Sequence, residues 1–221
     1  MPNLKAVLFD LDGTLIDTAP DFIRVVNQLL KEDGRPLIAE DRIRATVSAG
    51  SRALVQLAYD LEPGHEAVEP IRERLLELYE RELAVDSQPF AGINELLKKL
   101  GEHNIPWGIS TNKPEYYTRL LMEQLPLDPQ PAIVLSPDQV PNAKPAPDSL
   151  FIACDHIGCK AEEAIYIGDH ERDIQCGKRA NMPTIAAAYG YIPEGESASD
   201  WNADYLVDHA EDIWPIIEKL L

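Results

Sequence analysis

The chain has 221 residues, 45% apolar and 26% charged, the composition of a globular rather than a disordered protein. Twenty Lys+Arg stand against 38 Asp+Glu, and a net charge of −18 disfavours nucleic-acid backbones and anionic lipid as partners. No apolar run approaches the ~18 residues of a membrane span, and three cysteines, an odd number, make a poor disulfide framework.

Met1-Pro2-Asn3-Leu4-Lys5 has neither the apolar stretch nor the cleavage site of a signal peptide, so a cytoplasmic protein is expected. Leu4 to Phe9 then reads as a short buried strand ending at Asp10. From Thr18 the period becomes helical: Phe22, Val25, Val26, Leu29 and Leu30 lie on one face, with Pro20 near the start and Gly34 past the end. Helical patterning continues through Ile43–Ala45, Ser51–Leu61 and Ile71–Leu83, and no strand is predicted within this stretch up to about residue 85. After Pro89 and Gly92 the pattern alternates. Helices over 93–103, 115–125, 148–157 and 172–181 are interleaved with strands over 105–110, 132–136, 164–167 and 184–187. A strand at 205–207 and a helix over 211–221 complete the chain. Such alternation implies parallel βαβ units in an α/β, doubly wound sheet. The expected organisation is a discontinuous core, residues 1–15 and 86–221, with a helical insertion over 16–85.

The carboxyl ends of the predicted strands carry the chemistry, which is where doubly wound sheets place ligands. One ends in Asp10-Leu11-Asp12-Gly13-Thr14, another in Ser110-Thr111-Asn112-Lys113, and a third in Gly168-Asp169 with Asp173 four residues on. Lys144 falls in a loop between the last two. Carboxylates gathered at one sheet edge must be neutralised by protons or a cation, and hard oxygen donors suit Mg²⁺. Asp173 can equally be an acid in a helix first turn. Asp10-x-Asp12-Gly13 is no calcium loop, because Gly stands fourth and no Glu closes it. Cys154, His156 and Cys159 mimic a zinc cluster but lie at a predicted helix and lack a clear fourth ligand, while Cys176 suits packing.

These four motifs, in this order and spacing, resemble those of the haloacid dehalogenase-like phosphatases, a resemblance covering essentially the whole chain. It implies a Rossmann-like core with an inserted cap. It further implies that Asp10 is the nucleophile and Asp12 the general acid and base, with the phosphoryl group held by Thr111, the Asn112 backbone N–H and Lys144. Mg²⁺ would be held by Asp10, Asp169 and the Asp12 carbonyl, with Asp173 orienting the ligands behind them. Asp12 argues against dehalogenation, since only an alkoxide leaving group needs that acid. Specificity is expected in the cap, where Gly50-Ser51-Arg52 sets a turn and a cation before a helix. Phosphoglycolate phosphatases share the architecture. Ser48–Ala53, Trp107-Gly108, Thr111–Pro114 and Tyr189–Ile192 look closer to N-acetylmuramic acid 6-phosphate phosphatases. A small phosphorylated metabolite is the expected partner, for a monomer or homodimer. A phosphomutase of the same family and a catalytically silent interaction protein are the alternatives.

Overall fold

The computed structural model describes residues 4–221; Met1, Pro2 and Asn3 of the N-terminal segment lie outside it. Six parallel strands form one sheet: β1 (Ala6–Phe9), β4 (Trp107–Ser110), β5 (Ile133–Leu135), β6 (Ala164–Gly168), β7 (Thr184–Ala187) and β8 (Tyr205–Val207). Their spatial order is β5-β4-β1-β6-β7-β8. β1 is central, with Val7 opposite both Trp107 and Ile165. The chain's winding therefore reverses at β1, and the crevice beyond its carboxyl end is the expected ligand position.

Alternation along β1 explains why helices cover both faces. Val7 and Phe9 join one buried cluster with Leu96, Leu97 and Leu100 of α5 (Ile93–Glu102) and Ile213 and Ile217 of α9 (Ile213–Glu218). Ala6 and Leu8 join another, with Leu150 and Ala153 of α7 (Asp148–Ile157) and Cys176 of α8 (Glu171–Arg179). α6 (Glu115–Gln124) follows β4. Cys154 and Cys176 are buried and unbridged in this second cluster. They pack, as free cysteines commonly do.

Four helices, α1 (Ala19–Glu32), α2 (Glu40–Thr46), α3 (Ser51–Tyr59) and α4 (Val68–Arg81), intervene after β1. α1 shows why: Phe22, Val25, Val26, Leu29 and Leu30 form its buried stripe, and Pro occupies its first turn, where the missing N–H costs no helical bond. The expectation of a wholly helical insertion over 16–85 is corrected. β2 (Ile16–Asp17) pairs antiparallel with β3 (Gln88–Pro89) where the chain enters and leaves the helical segment. Two-residue strands are too short to show a period. The C-terminal helix begins later than read, because Ala210–Asp212 forms a separate 3₁₀ turn.

Candidate active site

Three strand ends and one loop converge beyond β1. Asp10 follows the strand directly; its Oδ1 accepts from the Leu11 N–H at 2.7 Å and pairs with Lys144 Nζ at 2.9 Å. Gly13 turns the chain back at φ +79°, and a Cβ there would stand 2.1 Å from Asp169 Oδ2. Only glycine satisfies both the positive φ and that approach. Gly190 is just as constrained from the other side, its Cβ position lying 2.2 Å from Asp169 Cβ.

Lys144 is a buried cation of the site. Nζ donates to Asp173 Oδ1 at 2.7 Å and to the Tyr166 hydroxyl at 2.9 Å, besides pairing with Asp10. Burial opposes its charge, but the Asp10 and Asp173 carboxylates outweigh that and hold it above the ordinary lysine range. Asp173 also accepts from the His170 N–H at 3.1 Å through Oδ2. It caps α8 and holds Lys144 at once.

Asp169 is fully buried, accepting from Thr14 Oγ1 at 2.9 Å, the Tyr191 N–H at 2.9 Å and Ser48 Oγ at 3.2 Å. Burial, then the Asp10 and Asp173 charges, push its carboxyl up to about 8. Burial likewise pushes Asp10 up to about 6, against the pull of Lys144. One oxygen from each of Asp10, Asp169 and Asp173 lies within 4.8 Å of the other two. Three carboxylates face one lysine, a set short of positive charge and rich in hard oxygen donors. That donor set fits a divalent cation such as Mg²⁺.

Asp12 is held separately. Its Oδ1 accepts from Thr18 Oγ1 at 2.6 Å and pairs with Lys113 Nζ at 2.9 Å, and Nζ also donates to the Tyr79 hydroxyl of α4 at 2.9 Å. Thr111, at the end of β4, is buried with its N–H on the Leu135 carbonyl at 2.9 Å. Asn112 donates Nδ2–H to the Lys144 carbonyl at 3.1 Å; its Oδ1 is buried without a partner among the described residues.

A cavity of about 300 Å³ opens above this edge, between the strand ends and the helical segment. Asp10, Asp12, Thr111 and Asn112 line it from below and Gly50 and Ser51 from above. Arg52 does not reach it. Its side chain is 63% exposed and bonds Glu69 on the outer surface. α3 begins at Ser51, and successive helical residues point about 100° apart, so turning Ser51 inward sends Arg52 out. The cation expected from Arg52 is supplied instead by Arg72 of α4, whose Nε–H donates to Ser51 Oγ at 2.8 Å, and by Arg172 of α8. Sequence reasoning assigned no role to Arg72, Arg172, Lys113, Ser48 or Tyr166. For Tyr166 the signal was a tyrosine inside the otherwise apolar strand Ala164–Gly168, and Lys113 and Ser48 stood in segments already singled out.

A family model of haloacid dehalogenase-like hydrolases matches residues 7–187. An N-acetylmuramic acid 6-phosphate phosphatase of Pseudomonas putida is 40% identical over 99% of this chain and 98% of its own. A phosphoglycolate phosphatase of Xanthomonas campestris is also 40% identical, over 95% of each chain. Among solved structures, a predicted phosphoglycolate phosphatase from Haemophilus somnus superposes with a TM-score of 0.85 at 23% identity, covering 98% of this chain and 99% of that one. At that identity the likeness speaks for the fold.

Proposed function

The chain belongs to the haloacid dehalogenase-like hydrolases, and on that premise we propose that it is a Mg²⁺-dependent phosphomonoesterase working through an aspartyl-phosphate. The observation that carries this reading is the pairing of two carboxylates in different settings on one cavity wall. Asp10 sits against Lys144 and the acid cluster, while Asp12 sits apart with Thr18 and Lys113.

Asp10 attacks phosphorus, forming the acyl-phosphate bond as the P–O ester bond breaks. Asp12 gives its proton to the departing alkoxide oxygen, then takes one from the water that hydrolyses the acyl-phosphate and releases inorganic phosphate. Thr111 Oγ1, the Asn112 N–H and Lys144 cradle the phosphoryl oxygens where charge concentrates. Asp10, Asp169 and the Asp12 carbonyl would hold Mg²⁺, with Asp173 orienting that set. A bound ion would offset negative charge between carboxylates and phosphate. Residues 16–85 act as the cap and 1–15 with 86–221 as the catalytic core. Gly50 and Ser51 face the leaving group from the cap.

N-acetylmuramic acid 6-phosphate is the substrate ranked first, supported by the matching relative at 40% identity. Phosphoglycolate is second, supported by an equal identity over a slightly smaller share of the chain. Phosphate release from both by the purified protein, with Mg²⁺ and without an added acceptor, is the test. Release from the sugar acid with higher kcat/KM is expected. A preference for phosphoglycolate reverses the ranking, and release from neither, nor from an aryl phosphate, overturns the phosphatase reading.

A further inference from the structure

Three permanent cations line the cavity, and two are already matched by carboxylates. Lys113 pairs with Asp12 at 2.9 Å, and Arg72 with Glu69 at 3.2 Å. Arg172 makes no ion pair among the described residues. Its side chain makes one hydrogen bond there, from Nη2–H to the Ser48 carbonyl at 2.7 Å. That bond anchors the guanidinium against the loop carrying Gly50 and Ser51. Ser48 in turn donates its hydroxyl to Asp169, so the anchoring loop is tied to the acid cluster as well.

An unmatched guanidinium is unexpected in a chain of net charge −18, where carboxylates are plentiful. Arg172 is half-buried, and most of its donor fork has no acceptor within the protein. It lies on the α8 side of the cavity that Asp10 and Asp12 also line. A planar fork of this kind matches a carboxylate with two parallel hydrogen bonds.

We propose that Arg172 determines specificity by recognising a carboxylate on the leaving group of the phosphomonoester. This deepens the proposed function and rests on it. The fork is held by a contact spanning core and helical segment, so it is set before the substrate arrives.

The test compares two sugar phosphates that differ in the O3 lactyl ether carrying the carboxylate, N-acetylmuramic acid 6-phosphate and N-acetylglucosamine 6-phosphate, on the native protein, Arg172→Ala and Arg172→Lys. The native protein is expected to favour the acid. Arg172→Ala should lose about 10- to 100-fold in kcat/KM on the acid and less than about threefold on the neutral sugar. Arg172→Lys should recover part of the loss on the acid, as a point charge without the fork. Equal losses on both esters, or no native preference for the acid, overturn the inference while leaving the phosphatase reading intact. If the native protein hydrolyses neither sugar, phosphoglycolate against ethyl phosphate carries the same comparison. Hydrolysis of no phosphomonoester at all is the distinct failure of the function itself.

Discussion

The sheet edge and the outer face of the helical segment hold their charges in opposite ways. Along the sheet edge Asp169 and Asp173 are fully buried and Lys144 is 5% exposed, each tied to several partners. Across the helical segment the pairs stand in solvent: Arg52 with Glu69, and Arg74 with Asp33. Exposed pairs contribute little to stability, whereas buried charges persist only where partners repay desolvation. Burial alone is not the mark of the site, however. Asp21 of α1 is also fully buried, but it accepts from the Ala84 and Asp86 N–H groups and from Ser87, and ties down the end of the helical segment. The sheet edge differs in being left short of positive charge. That shortfall, three clustered carboxylates against one lysine, supports the proposed binding of a cation and an anionic ligand there.

Asp10→Asn should break this contrast most severely. With the nucleophile gone, turnover should fall by at least about a thousandfold, while the fold survives because one clustered charge has been removed. Phosphate release and thermal unfolding measure both; turnover that persists would move the nucleophile elsewhere. Asp12→Asn should cost about 10²–10⁴-fold on alkyl phosphates and far less on an activated aryl phosphate, whose leaving group needs little protonation. Equal losses on the two classes contradict the acid role. Lys144→Met leaves Asp10 and Asp173 facing each other without a cation, at about 3–5 kcal/mol of folding stability. Urea unfolding checks this, and an unchanged midpoint would show that the lysine is dispensable to the edge.

A smaller effect should appear with pH. Asp10 and Asp169 are raised above their ordinary carboxylate value of 3.8, to about 6 and about 8. Between those values the folded protein binds protons that the unfolded chain releases, so stability falls as pH rises from about 4 to about 8. With chelator present, Tm should drop by several degrees across that range, and Mg²⁺ should flatten the drop. A flat profile in chelator would show that neither burial nor mutual repulsion raises these carboxyls. The smallest effect is expected on the outer wall: Arg52→Ala should change kcat/KM by less than about twofold on any substrate, as for an exposed ion pair. A tenfold loss confined to the acid would return Arg52 to the cavity and make its surface contact with Glu69 incidental.

The alternation of strands and helices was legible in the residues, since a period of two or 3.6 is local. The carboxylates were legible too, because Asp10, Asp12 and Asp169 follow strand ends that the alternation already locates, and Asp173 lies in the first turn of the next helix. β2 and β3 were not, each being two residues whose pairing spans about 70 positions. Nor was the direction of Arg52. Ser51 and Arg52 are equivalent in composition and turn context, and only the packing of α3 against α4 turned one toward the cavity and the other toward Glu69.

What the chain determines by itself is which groups are available and in what order: the apolar runs that must be buried, the glycines that allow close approach, the acids that end the strands. What the tertiary structure alone decided is which of two adjacent side chains faces the ligand and which cation is left without a partner. Arg172 and Ser48 meet across 124 residues, and Lys113 and Asp12 across 101. Pairings at that separation leave no trace in local periodicity, because they are chosen by the packing of whole elements, and a rotation of one helix by a single residue exchanges them.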